Sequence, residues 1–169
     1  MAGDVRASKF ADDFVAAQRQ FAELVGSLSD EQWRLVGENF PQRTNDEDER
    51  RPIGVIAHHV ASSEQFIVDR IYMMLESKPL TAVDFRHTNA RHAEQHSDVT
   101  REEVVRLLNE NELQIAPRVR AIPDDALDTV HETPAGPTSI AQRLERVLIG
   151  HMKQHQGSIE AALTSQANR

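Results

Sequence analysis

Apolar positions along the chain fall into four long stripes separated by polar connections. Phe10, Phe14, Ala17, Phe21, Leu24 and Leu28 step by four, three, four, three and four, which predicts an amphipathic helix over about residues 5–27. Ser29-Asp-Glu-Gln32 has the form of a capping box, and opens a short helix carrying Trp33, a core plug at the end of a bundle. Residues 41–51 are polar throughout and read as an exposed loop. Pro52 suits the first turn of a second long helix, about 52–77, with Ile56, Val60, Ser63, Ile67, Ile71 and Met74 inward. Residues 78–99 show no long period and read as a connection. Thr100-Arg-Glu-Glu103 is another capping box, opening a third helix to about Ala121 with Val104, Leu107, Leu108, Ile115 and Val119 inward. Pro117 is expected to bend it near its last turns. Pro123-Asp-Asp starts a short turn, and Thr133 to Pro137 is a loop. Thr138 is expected to cap a fourth helix, about 138–165, before Gln166 to Arg169 fray. No stretch carries a strand signal, so the pattern predicts an all-α, antiparallel or mixed four-helix bundle.

Composition narrows this picture. A chain of 169 residues suits one domain over residues 1–169, and can bury roughly two thirds of its unfolded surface. With no Cys, there is no disulfide, no thiolate metal site and no cysteine nucleophile, so any metal must take nitrogen or oxygen ligands. A formal charge of -8 argues against a nucleic-acid or anionic-membrane partner. The first residues carry Asp4, Arg6, Lys9, Asp12 and Asp13 and lack the apolar run of a signal peptide. No stretch approaches the roughly 20 apolar residues of a membrane span. These features lead us to expect a soluble, cytoplasmic protein.

The candidate chemistry lies in histidines. The last stripe runs Ile140, Leu144, Val147, Leu148, Met152, Ile159 and Leu163; His151 falls on it and His155 one turn on. Two imidazoles four residues apart project from one side of a helix and can reach one ion. A bare HxxxH more often marks core or rim histidines, each satisfied by a hydrogen bond. It is not a zincin helix, since Met152 stands where that motif requires Glu. On the second helix, His59 has Val55, Ile56, Ser63 and Phe66 one turn away and leans inward, whereas His58 neighbours Gly54, Ala61, Ser62 and Gln65. A second HxxxH, His92 and His96, has polar flanks and reads as a surface turn of helix, not a primary metal site, though one of its residues could line a pocket. Along the helices, His59 lies about 10 Å from the start of the second, and His151 and His155 lie about 21 and 15 Å from the end of the fourth. The three share a level only if those two helices run antiparallel. The Glu-x-x-His pairs of di-iron bundles are absent.

Three motifs in order, Leu28-Ser-Asp-Glu-Gln-Trp33, Pro52-Ile-Gly-Val-Ile-Ala-His-His-Val-Ala61 and Leu148-Ile-Gly-His-Met-Lys-Gln-His155, span most of the chain. In them the sequence resembles the DinB/YfiT-like superfamily, with its thiol-dependent transferase and maleylpyruvate isomerase branches. The resemblance implies a four-helix bundle with a long crossover connection, often dimeric, holding zinc or nickel by three histidines. It places the ligands at His59, before Val60-Ala61, and at His151 and His155. A three-histidine site with open positions is of the catalytic kind and would activate water or a low-molecular-weight thiol, which must arrive as a cosubstrate. The function expected is that of a metal-dependent thiol S-transferase or related hydrolase or isomerase. The alternative is a non-catalytic metal-binding or dimerisation bundle.

Overall fold

The computed structural model describes residues 5–38 and 50–168. The described residues are mostly helical. Helix α1 (Val5–Ser27) buries Ala7, Ala11, Phe14, Gln18, Phe21 and Val25, so Phe10 and Leu24 sit at the edge of its stripe, half-buried. Helix α2 (Asp30–Trp33) is opened by the expected capping box: Ser29 Oγ accepts from the Gln32 N–H, and Gln32 Oε1 from the Ser29 N–H. Helix α3 (Ile53–Leu75) starts after Pro52, which is the cap and not the first turn. Its inner stripe is buried except for half-buried Ser63. Most of the loop expected over 41–51 lies outside the described residues.

The connection to the third long helix differs from expectation. It contains an eleven-residue helix, α4 (Phe85–Gln95), whose N-cap Asp84 accepts from the His87 N–H. Helix α5 (Arg101–Arg120) keeps its capping box at Thr100 and Glu103 and continues past an exposed Pro117. Asp124–Ala126 form one 3-10 turn. A hairpin then follows where no strand was expected: β1 (Val130–His131) pairs antiparallel with β2 (Thr138–Ser139). Strands of two residues are too short to show alternation. Gly136, at φ 102°, supplies the left-handed turn residue between them.

The last helical stretch is capped by Ser139, not Thr138. Ser139 Oγ accepts from the Gln142 N–H and Gln142 Oε1 from the Ser139 N–H, while Thr138 stays in the hairpin. It comprises α6 (Ile140–Gln142), a π-helical segment (Arg143–Ile149) and α7 (Gly150–Ala167). Gln166 is helical rather than frayed, its side-chain amide donating to Glu31 of α2 at 3.0 Å.

Side-chain pairs fix the relative directions of the long helices. Between α1 and α5, Asp12 meets Arg120, Arg19 meets Glu112 and the Leu28 carbonyl meets Arg101, so the two are antiparallel. Between α3 and α5, the Ala61 carbonyl meets Asn111, Gln65 meets Gln114 and Asp69 meets Arg118, so these run parallel. The long connection 76–100 therefore returns the chain to the end from which α3 began. His59 touches His151 and His155, while Arg70 feels the charge of Arg143, so α3 and α7 are antiparallel. The segment 35–38 links the α3 start to α7. The Leu35 carbonyl accepts from the Ile53 N–H at 2.8 Å, and the Glu38 carbonyl accepts from Ser158 Oγ at 2.6 Å.

Two contacts in this frame give stability predictions. The Trp33 indole lies directly on Gly54 while its Nε1–H donates to the Val99 carbonyl at 3.0 Å. A Cβ at Gly54 would stand 2.5 Å from Trp33 Cε2, closer than side chains approach one another. Gly54→Ala should cost about 1–3 kcal/mol, the range for overpacking, and shift the fluorescence of the single Trp. Urea unfolding checks this, and an unchanged midpoint and spectrum would show that the indole does not seat there.

The second contact is buried. Burial lifts the Glu64 carboxyl from 4.5 to about 8, against the pull of hydrogen bonds from Gln18 and Asn111. The unfolded chain releases this proton near 4.5 and the folded chain near 8, so the folded state binds more protons between them. Stability should therefore fall as pH rises through that window. Glu64→Gln, which cannot ionise, should flatten the slope and melt above the parent at about pH 8. Calorimetry across the range decides; a parent Tm that climbs from about pH 5 to 8 with the same slope in the variant would contradict it.

Candidate functional site

The antiparallel pairing of α3 and α7 brings His59, His151 and His155 into one cluster. His59 Nε2 lies 3.2 Å from His151 Nε2, and His155 Nε2 lies 2.9 Å from the same atom. One ligand nitrogen from each ring lies within 4.8 Å of the others. His155 is buried, and His59 and His151 are half-buried. Each ring nitrogen offers one in-plane position, holding either a proton or a lone pair. His151 Nε2 therefore satisfies one of its two neighbours by a hydrogen bond but not both. Nitrogens each about 2.0–2.1 Å from one tetrahedral zinc stand about 3.3 Å apart, so the spacing here fits three nitrogens aimed at a common cation. No fourth His, Asp or Glu joins the group among the described residues.

Local backbone structure places two of these rings. Arg143–Ile149 is π-helical, and the Gly150 N–H donates to the Glu145 carbonyl five residues back. A Cβ at Gly150 would stand 3.0 Å from that oxygen, a reason for glycine at this turn. π-Helical turns frequently occur at functional sites. His151 is the second residue of the α-helix that follows.

A second cluster adjoins the first. His58, His92 and His96 also bring one ligand nitrogen each within 4.8 Å of one another, and all are half-buried. The reading of His92 and His96 as a polar surface turn is corrected here, because α4 lays its histidine side against α3. His58 Nδ1 lies 2.8 Å from His92 Nε2, and the His58 and His96 rings stack with centroids 4.0 Å apart. The two clusters touch where the His59 and His92 rings meet edge to face at 5.6 Å. The sequence signals for this cluster were the HxxxH spacing itself and the side-chain cap at Asp84.

His59, His92 and His58 favour the neutral ring. Burial pushes His59 down to about 3, helped by the charges of His155, His92, Arg51 and His58. Burial likewise lowers His92 to about 4, with His58, His96 and Arg51 adding to it, and lowers His58. A neutral imidazole is the ligand form. Arg51, whose guanidinium donates to the Asn89 carbonyl at 2.7 Å, borders both clusters through His59 and His92. A cavity of about 680 Å³ lies elsewhere, between α1 and the Glu145–Lys153 region, lined by Lys9, Phe10 and Asp13 among others.

A family model described as the DinB superfamily matches residues 13–159, a span that includes every histidine of both clusters. No curated protein and no solved structure matches. No helix among the described residues is long and apolar enough to cross a membrane. With its helical architecture and a match over most of its length, the chain belongs to the DinB superfamily.

Proposed function

We propose that the chain is a four-helix bundle with a long crossover, in which His59, His151 and His155 hold one divalent cation, zinc or nickel. On this reading it is a metal-dependent enzyme that activates a thiol or water, a thiol S-transferase or a related hydrolase or isomerase. The observation that carries the reading is the pair of close approaches to His151 Nε2, which hydrogen bonding alone cannot satisfy. Bound there, the cation supplies Lewis acidity and lowers the pKa of the thiol or water that reaches it. The protein's part is to hold three imidazole rings, one from α3 and two from α7, in fixed orientation and to leave a coordination position unfilled by side chains. Arg51 beside His59 favours an anionic ligand over a cationic one. Any thiol comes from outside, because the chain has no Cys.

Metal content after dialysis against a weak chelator tests the ligand set. His59→Ala and His155→Ala should each retain one fewer zinc ion than the parent, while His58→Ala should keep the ion at His59, His151 and His155. Unchanged metal content in both His59→Ala and His155→Ala would refute the assignment. A thiol-consumption screen with several low-molecular-weight thiols and electrophiles then tests the chemistry, with His155→Ala expected to lose at least tenfold in rate, as for loss of an essential catalytic group.

We further propose that the protein is a homodimer, on the strength of the family resemblance. Light scattering should report twice the 19.0 kDa chain mass at micromolar concentration. A single monomer peak throughout would exclude it.

A further inference from the structure

We infer that His58, His92 and His96 form a second divalent-cation site, side by side with the first, so that one chain takes up two ions. The construction repeats that of the first cluster. One histidine comes from α3, and two come from positions four apart, here at the end of α4 and its C-cap. The adjacent residues His58 and His59 each serve a different cluster, and the clusters meet through the His59 and His92 rings.

Three observations separate this from a group of hydrogen-bonded structural histidines. First, the hydrogen bonding is incomplete. His92 Nδ1 is buried with no hydrogen-bond partner among the described residues, whichever nitrogen carries the ring's proton. A buried polar atom left so is destabilising, which a satisfied structural histidine avoids. Second, His92 Nε2 has two neighbours for its single position, His58 Nδ1 at 2.8 Å and Ser62 Oγ at 3.4 Å. Third, the cluster is made of imidazoles alone, and Glu103, whose charge pulls the His58 pKa up, is not a member of it. Half-burial leaves it open to an ion from solvent. Three imidazole nitrogens without thiolate or carboxylate suit zinc, nickel, cobalt or copper(II), and disfavour magnesium or calcium.

This site stands independently of the first, and the experiment separates them. Full-length protein freed of metal is titrated with zinc by calorimetry, and its zinc content is measured after gel filtration. The parent should saturate at two equivalents. His58→Ala and the double variant His92→Gln/His96→Gln should each saturate at one, whereas His151→Ala/His155→Ala should keep the one held at the second site. The glutamines retain hydrogen-bonding capacity and near-equal size, and unchanged far-ultraviolet circular dichroism of the metal-free variants guards against a folding defect. Cobalt(II) gives a second readout, since loss of either site should remove about half of the parent's visible absorption. A parent that saturates at one equivalent, lost in His151→Ala/His155→Ala and kept in His92→Gln/His96→Gln, overturns the second site and leaves the first standing. A parent that takes two ions, with both still bound when His92 and His96 are glutamine, overturns it equally.

Discussion

A single buried carboxyl group, that of Glu64, sets the register of three helices. Its Oε2 accepts from Gln18 Nε2 of α1 and Asn111 Nδ2 of α5, each at 2.8 Å. Each of those amides spends its remaining hydrogen on a carbonyl: Gln18 on Leu108 and Asn111 on Ala61. Sliding any of the three helices by one residue would strand several buried polar atoms at once, so the network permits one alignment. With α3 fixed in rotation and height, its first turns present His58 and His59 to whatever packs beside them. Helices α4 and α7 take those two places.

The convergence of His59, His151 and His155 was legible from the chain because each lies in a helix with a clear apolar period. Ile56, Val60, Ile67 and Ile71 orient α3, and Leu144, Leu148 and Met152 orient the last helical stretch. The heights of His59, His151 and His155 then agree in one arrangement only. Helix α4 escaped the same reading because it has no buried residue at all. It rests on α3 through half-buried imidazoles, and a search for apolar spacing passes over a contact made by polar rings. The buried run from His155 to Ile159 was equally hidden: Gln156, Gly157 and Ser158 are covered in part by the segment ending at Glu38, a long-range contact that no local period announces. The cap at Ser139 was misplaced by one residue because Thr138 and Ser139 are both good caps, and Ser139, the last residue of the second strand, is the one that opens the helix.

The chemistry of the site follows from packing several bases together in an acidic protein. At His59, His92 and His58, burial raises the cost of protonation and neighbouring imidazoles raise it further, so lone pairs accumulate where a solvated histidine would carry charge part of the time. The chain's excess of acidic residues offsets this only in part: Glu103 pulls the His58 pKa up, but neither cluster contains a carboxylate.

The π-helical segment before His151 has an evolutionary corollary. A π turn holds one residue more than the α turn it replaces, so it accommodates a residue in excess without breaking the helix. Deleting one residue between Arg143 and Ile149 would let the backbone relax into plain α-helix, with the residues downstream keeping close to their present facing. A deletion between His151 and His155, where no π turn absorbs it, would turn His155 by about 100° relative to His151. Length variation among relatives should accordingly be tolerated at the π turn and in the surface connections, and be absent between the two histidines of α7.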